Sequence, residues 1–136
     1  MTNSKKICAI FLVYRRKFKQ LNEEINLALK PYKITVQHAV YLIALKAQGA
    51  LTIKDLNAYV DNDKAITTRV IKTLKRHDYV EKIGSKIKKY KIAITADGEK
   101  VFKVILNVIN KFKKSQLNVI TQEELTLLAG IAEKLN

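Results

Sequence analysis

Apolar side chains recur through the first part of the chain at the spacing of an amphipathic helix. From Ile7, Ile10 and Phe11 onwards they follow three- and four-residue steps until Pro31. Proline lacks a backbone donor and clashes with the preceding turn, so it ends a helix. The pattern therefore predicts one long helix over about residues 5–30. At about 1.5 Å per residue, that helix is long for so small a domain.

The next pattern predicts three shorter helices. Thr35 precedes a run that is apolar almost all round, which indicates a helix in the core. Thr52 precedes a short helix, and after the turn "VDND" either Asp63 or Asn62 caps a helix over residues 64–77. A short helix, a tight turn and a second capped helix form a helix-turn-helix.

Beyond residue 77 the period changes to that of strands. The runs 79–83 and 89–95 flank Gly84, and the second run alternates apolar with other residues. We interpret them as a β-hairpin with the tip "GSKIKK", and we call residues 82–91 the wing. Two capped helices over residues 96–136 complete the order α-α-α-α-β-β-α-α. The sequence predicts one mostly α domain with a small hairpin, its core over about residues 34–95.

Charge narrows the possible partners. The chain has 26 Lys and Arg against 12 Asp and Glu, a formal net charge of +14. Residues 61–95 hold ten basic and four acidic side chains, and residues 1–33 hold eight and two. This density suits a polyanion such as nucleic acid. Apolar stretches too short to span a membrane and the single Cys8 predict a soluble cytoplasmic protein without membrane contact.

Nothing in the sequence is typical of catalysis or of a metal site. His38 and His77 are the only histidines, and no cluster of His, Cys and carboxylates accompanies them. We expect His38 to be a packed histidine or a residue of a pocket wall, and Cys8 lacks a resolving partner for redox sensing. The sequence therefore predicts that the protein is not an enzyme and needs no cofactor or metal.

The helix over residues 64–77 has one apolar and one basic face. When Val70 and Leu74 face the core, the opposite side presents small and basic residues at one-, three- and four-residue steps. These are Lys64, Ala65, Thr68, Arg69 and Lys72. In a helix-turn-helix the second helix enters the DNA major groove, where Lys and Arg can donate to guanine. Basic residues farther along this helix and in the wing suit contact with phosphates better than contact with bases. They are Lys75 and Arg76 of the helix and Lys86, Lys88 and Lys89 of the wing.

These residues resemble the core of the MarR family of winged helix-turn-helix regulators. The stretches "DLNAYVDNDKAITTRVIKTLKRHDYVEK" and "IAITADGEKVF" carry the resemblance over about residues 55–102. Leu56 and Val60 match the paired apolar sites before the turn, and Thr68-Arg69 matches a frequent Thr-Arg pair. "ITADGEK" matches the Leu-Thr-x-x-Gly signature that follows the wing.

The resemblance implies a homodimer that binds pseudo-palindromic double-stranded DNA as a transcriptional regulator, with repression the expected direction. The helices over about 5–30 and 96–136 would interlock the two subunits. The recognition helices would occupy successive major grooves, and the wings would lie at the backbone or minor groove. Some relatives respond to small aromatic effectors. The residues expected to line such a pocket, if they are not plain core, are Tyr14, Phe18, Tyr32 and Tyr41.

The wing departs from the family pattern. It lacks the Asp-x-Arg pair whose Arg enters the minor groove, and its lysines are strongly hydrated point donors. We therefore expect the wing to add affinity more than sequence preference. Two other functions stay open: an architectural DNA- or RNA-binding basic protein without sequence preference, and a winged-helix module that binds protein.

Overall fold

The computed structural model describes residues 1–136 and follows the predicted order of elements. Its six helices are α1 (Asn3–Leu29), α2 (Val36–Gln48), α3 (Ile53–Val60), α4 (Lys64–Arg76), α5 (Ala96–Gln116) and α6 (Gln122–Leu135). Strands β1 (Val80–Ile83) and β2 (Lys91–Ile94) lie between α4 and α5, and a 3-10 turn at Lys30–Tyr32 follows α1. Pro31 stands in that 3-10 turn, so α1 ends where the sequence predicted.

Side-chain caps account for most helix starts. The side chains of Thr2, Thr52, Asp63, Thr95 and Thr121 each accept a hydrogen bond from a backbone N–H in the first turn of the helix that follows. These bonds satisfy donors that have no partner inside the helix. The predicted cap at Asp63 is confirmed, and Asn62 instead accepts a hydrogen bond from the Asp63 N–H.

The core forms around α2. Tyr41 and Leu42 of α2 are completely buried, as are Leu56 of α3 and Leu74 of α4. Ile105 of α5 joins the same cluster, which also receives the C-terminal end of α1. The helix-turn-helix therefore packs on the almost wholly apolar helix, as the sequence indicated.

The hairpin is shorter than predicted at three of its four ends. The predicted strands 79–83 and 89–95 are observed as Val80–Ile83 and Lys91–Ile94, with Ile83 opposite Lys91. The residues between them form a seven-residue loop, so the predicted start of the second strand at residue 89 was wrong. Leu51, just before α3, exchanges two backbone hydrogen bonds with Ile92 and ties the hairpin to the helix-turn-helix.

The two ends of the chain leave much apolar surface uncovered. Only 19 of 136 residues are buried, and α6 contains none of them. On α1, Ile7 and Phe11 remain 65% and 64% exposed. An amphipathic helix normally covers its apolar face, so α1 and α6 each present a face without a partner in the single chain. None of the six helices combines the length and the hydrophobicity that a membrane-spanning segment needs.

Candidate nucleic-acid interface

Helix α4 separates its two faces as the spacing predicted. Val70, Ile71 and Leu74 are buried, and they hold the helix against α2 and α3. The residues expected to face DNA are all exposed: Lys64, Ala65, Thr68, Arg69, Lys72, Lys75 and Arg76. Helix α4 can therefore carry many basic residues and still pack in the core, because its apolar face is buried and its basic face is exposed to solvent.

Thr68 is tied to its own helix. Its hydroxyl donates to the backbone oxygen of Lys64 at 2.9 Å. The hydroxyl proton is therefore engaged, while the oxygen can still accept and the methyl group stays exposed. This geometry favours contact of Thr68 with a thymine methyl group or a base amino group over donation to a base.

A buried polar network sets the position of α4, and the sequence reasoning missed it. Thr67 is fully buried, and its hydroxyl lies 2.8 Å from the hydroxyl of Tyr41 and also bonds to the side-chain oxygen of Asn57. Asn62, in the turn, donates to the Tyr41 hydroxyl at 3.1 Å. The network joins α2, α3, the turn and α4. The signal was present, because Thr67 precedes Val70 by three residues and must face inward, where a polar group needs a partner.

The basic side chains of this surface carry no internal ion pairs. The two salt bridges of the chain are Lys46–Glu99 at 2.9 Å and Lys100–Asp97 at 3.8 Å, and neither involves α4 or the wing. The cations of α4 and the wing are therefore not neutralised within the chain. Their positive potential is available to an external polyanion.

The wing is an ordered but solvated projection. Gly84 adopts φ 101°, and a Cβ there would lie 3.2 Å from the backbone oxygen of Lys89, so the turn into the loop requires glycine. Ser85 closes the tip, because its N–H donates to the Lys88 oxygen and its hydroxyl accepts from the Lys88 N–H. The Lys82 ammonium lies 3.9 Å from the centre of the Tyr90 ring. All residues from 81 to 91 are exposed, including the predicted contacts Lys86, Lys88 and Lys89.

The base of the wing is held by the 3-10 turn that follows α1 and by α5. The Tyr79 hydroxyl donates to the backbone oxygen of Tyr32, and burial, followed by the neighbouring Tyr32 and Asp97, raises the pKa of Tyr79. The Thr95 hydroxyl donates to the Asp78 oxygen at 2.5 Å. Gly98, in the first turn of α5, lies directly against the backbone of Tyr79. These contacts fix the direction in which the hairpin leaves the domain.

His38 has a structural role at the start of α2. Its Nδ1 accepts a hydrogen bond from the Thr35 N–H at 3.1 Å, which requires that nitrogen to be unprotonated. Burial lowers the pKa of His38 below its ordinary value of 6.5, and the charge of His77 lowers the pKa further. Cys8 is exposed on α1, and no group of three or more His, Cys, Asp and Glu residues could hold a metal ion.

The residues expected to line an effector pocket do not share one surface. Tyr14 and Phe18 are exposed and stacked, with ring centroids 6.3 Å apart, whereas Tyr41 is fully buried in the network described above. Tyr32 is half-buried below Tyr79. Phe18 borders a shallow groove of about 360 Å³ whose other five lining residues are polar or charged. An effector pocket therefore stays a prediction.

A helix-turn-helix whose second helix is capped, basic and exposed, followed by a tethered hairpin, defines a winged helix-turn-helix protein. A family model described as the MarR family matches residues 34–86. The HTH-type transcriptional regulator BilQ of Clostridioides difficile (strain CD3) is 34% identical over 86 residues, or 62% of this chain. These matches confirm the resemblance seen in the sequence: the chain is similar to the MarR family over residues 34–86.

Solved structures agree on the fold. A MarR family transcriptional regulator from Silicibacter pomeroyi superposes with a TM-score of 0.77 at 15% identity, covering 90% of this chain and 84% of that one. A mutant of S. aureus MepR bound to an oligodeoxyribonucleotide gives 0.64 at 15% identity, covering 93% and 94%. The chain spans 58% of the length of BilQ, the curated relative it matches.

Proposed function

We propose that the protein is a transcriptional regulator that binds double-stranded DNA sequence-selectively as a homodimer. Its expected effect on transcription is repression. The observation that carries the proposal is the exposed face of α4, whose cations lack internal partners while its other face is locked in the core. The name of BilQ and the DNA-bound state of the MepR mutant support the same reading. The protein would bind this DNA in the cytoplasm.

Within this interface, reading and anchoring belong to different residues. Arg69 lies in the second turn of α4, where its guanidinium can donate two parallel hydrogen bonds to a guanine edge. Lys64, Ala65 and Thr68 would face the same groove. Lys75, Arg76 and the wing lysines lie farther from the N-terminus of α4 and would contact phosphates. The rigid network at Thr67 supports this assignment, because base readout needs a helix held at a fixed depth.

The proposed dimer accounts for the uncovered helices at the two ends of the chain. A folded monomer of 15.5 kDa is expected to expose about 7,200 Å², whereas this chain exposes 10067 Å². Two subunits that each covered this excess, on the order of 3,000 Å², would bury about 6,000 Å² in total, at the upper end of the range for obligate homodimers. The apolar part of the excess includes Ile7, Ile10 and Phe11 of α1 and Leu127 and Ile131 of α6. If the protein sediments as a monomer at micromolar concentration, the proposed homodimer is wrong.

The DNA-binding proposal is tested by affinity at several salt concentrations. A site is first selected from random duplex DNA, and the wild type is compared with Arg69→Ala and with Lys88→Ala/Lys89→Ala. Arg69→Ala should cost about 1–3 kcal/mol on the selected site and much less on random DNA. The lysine pair should weaken all sequences alike and lower the salt slope by about two per subunit. Lys103→Ala on α5 removes one charge outside the interface and serves as the control.

Each competing function gives a different result. A flat plot of log K against log salt would exclude phosphate contact and leave a protein-binding module. A steep plot with no preference between the selected site and random DNA, or with preference for RNA, would indicate an architectural protein. If the lysine pair changes sequence preference while Arg69→Ala does not, the assigned roles of reading and anchoring are reversed.

A further inference from the structure

The wing tip carries an apolar side chain that the fold does not use. Ile87 is 96% exposed, the highest value among the large hydrophobic residues of the chain. The turn around it is closed by the paired bonds between Ser85 and Lys88, and neither bond involves Ile87. Turns favour Gly, Asn, Asp and Ser, whereas β-branched residues are stiff and suit strands. The fold therefore offers no packing reason for isoleucine at this position.

The surroundings of Ile87 indicate what it would contact. Lys86 and Lys88 are its chain neighbours, Lys89 follows, and all three are exposed without salt-bridge partners. An apolar group within such a cationic tip suits a surface that is polyanionic at its edges and less polar between them. The grooves of duplex DNA have this character, since phosphates line their walls and base edges form their floor.

The hairpin has the reach for such a contact. Its first strand begins four residues after α4 ends and carries the chain roughly 10 Å from Val80 to Ile83, and Ile87 lies beyond it in the closed loop at the tip. Resting on the DNA binding proposed above for α4, we propose that Ile87 enters the minor groove beside the α4 site and favours A·T over G·C pairs there. The wing lysines then supply non-selective anchoring, and Ile87 supplies discrimination.

The preference follows from the chemistry of the minor-groove floor. A·T and T·A pairs present only acceptors there, whereas guanine adds a 2-amino donor that projects into the groove. An aliphatic side chain cannot accept a hydrogen bond from that amino group, and it would strip the group of water. Apolar wedges in minor-groove proteins use the same kind of contact. Half-burial of the Ile87 carbons beyond Cβ corresponds to about a tenfold change in affinity per wing.

The test uses the full-length protein and one selected duplex in three forms. The minor-groove pairs protected by the wing, located by hydroxyl-radical footprinting, are made A·T, G·C or inosine·cytosine. Inosine lacks the 2-amino group, so its pair with cytosine presents the A·T pattern of acceptors in the minor groove. The variants are Ile87→Ala and, as a matched control at the neighbouring position, Lys86→Ala. Circular dichroism checks that both remain folded, as expected for exposed positions.

The wild type should bind the A·T and inosine·cytosine forms about tenfold more tightly per wing than the G·C form. Ile87→Ala should bring the three affinities together, and Lys86→Ala should weaken all three by the same factor. Retention of the wild-type ratio in Ile87→Ala, or absence of any ratio in the wild type, would overturn this inference and leave the proposed DNA binding intact. A wild-type protein without salt-dependent binding to any of the three duplexes would overturn both.

Discussion

Gly98 should tolerate no side chain, because α5 begins in direct contact with the backbone that precedes the wing. A Cβ added at Gly98 would lie 2.0 Å from the Tyr79 oxygen and 2.7 Å from Cγ1 of Ile94. Cβ atoms essentially never approach other atoms closer than 3.0 Å. In Gly98→Ala, α5 and the base of the hairpin must therefore move apart by about 1 Å, since packed interiors have no spare space to absorb the methyl group.

That movement would weaken two hydrogen bonds that join the same segments. The Thr95 N–H donates to the Tyr79 oxygen at 3.1 Å, and the Thr95 hydroxyl donates to the Asp78 oxygen. Overpacking costs about 1–3 kcal/mol and each weakened bond about 0.5–1.5 kcal/mol. Alanine has a higher helix propensity than glycine, which offsets at most about 1 kcal/mol of this loss in the free energy of unfolding. The net loss in the free energy of unfolding should therefore be about 1–5 kcal/mol.

The matched control is Gly130→Ala in α6. A Cβ at Gly130 meets nothing within 4 Å, so the same substitution should stabilise that helix by about 0.5–1 kcal/mol. Urea unfolding followed by circular dichroism measures both changes, with sedimentation run in parallel to record the state of assembly. A Gly98→Ala protein whose unfolding free energy stays within about 0.5 kcal/mol of wild type would refute the clash, since that is the scatter of neutral surface substitutions.

Two further predictions concern the polar groups around α2. Tyr41→Phe should lower the unfolding free energy by about 1–3 kcal/mol, because Asn62 and the buried Thr67 each lose a partner; a urea midpoint equal to that of wild type would show that the network does not hold α4. The pKa of His38 is lowered in the folded chain. Below about pH 6.5 the unfolded chain therefore binds a proton more readily than the folded chain does, and the free energy of unfolding should fall on acidification. His38→Gln, whose amide can complete the capping box, should lose less stability between about pH 7 and pH 5 in urea titrations, and parallel pH dependences would contradict the assignment.

Local signals determined most of the helical framework. Pro31 ended α1, Asp63 began α4, and the spacing of Val70 and Leu74 identified which side of α4 is buried. Such features depend on neighbours within about one turn, so they can be seen in the order of residues alone. The exposure of Arg69 and the other predicted α4 contacts followed from the same periodicity.

Tertiary structure decided the features that join distant segments. The Tyr41–Thr67 pair spans 26 positions and the Leu51–Ile92 bridge spans 41, and neither has a local pattern. The second strand begins at Lys91 and not at residue 89, because pairing stops at the Ile83–Lys91 pair, beyond which the chain forms the loop of the tip. Only the folded chain showed that Ile87 packs against nothing. Periodicity assigns a residue to a face, but whether that face meets a neighbour depends on where the rest of the chain lies.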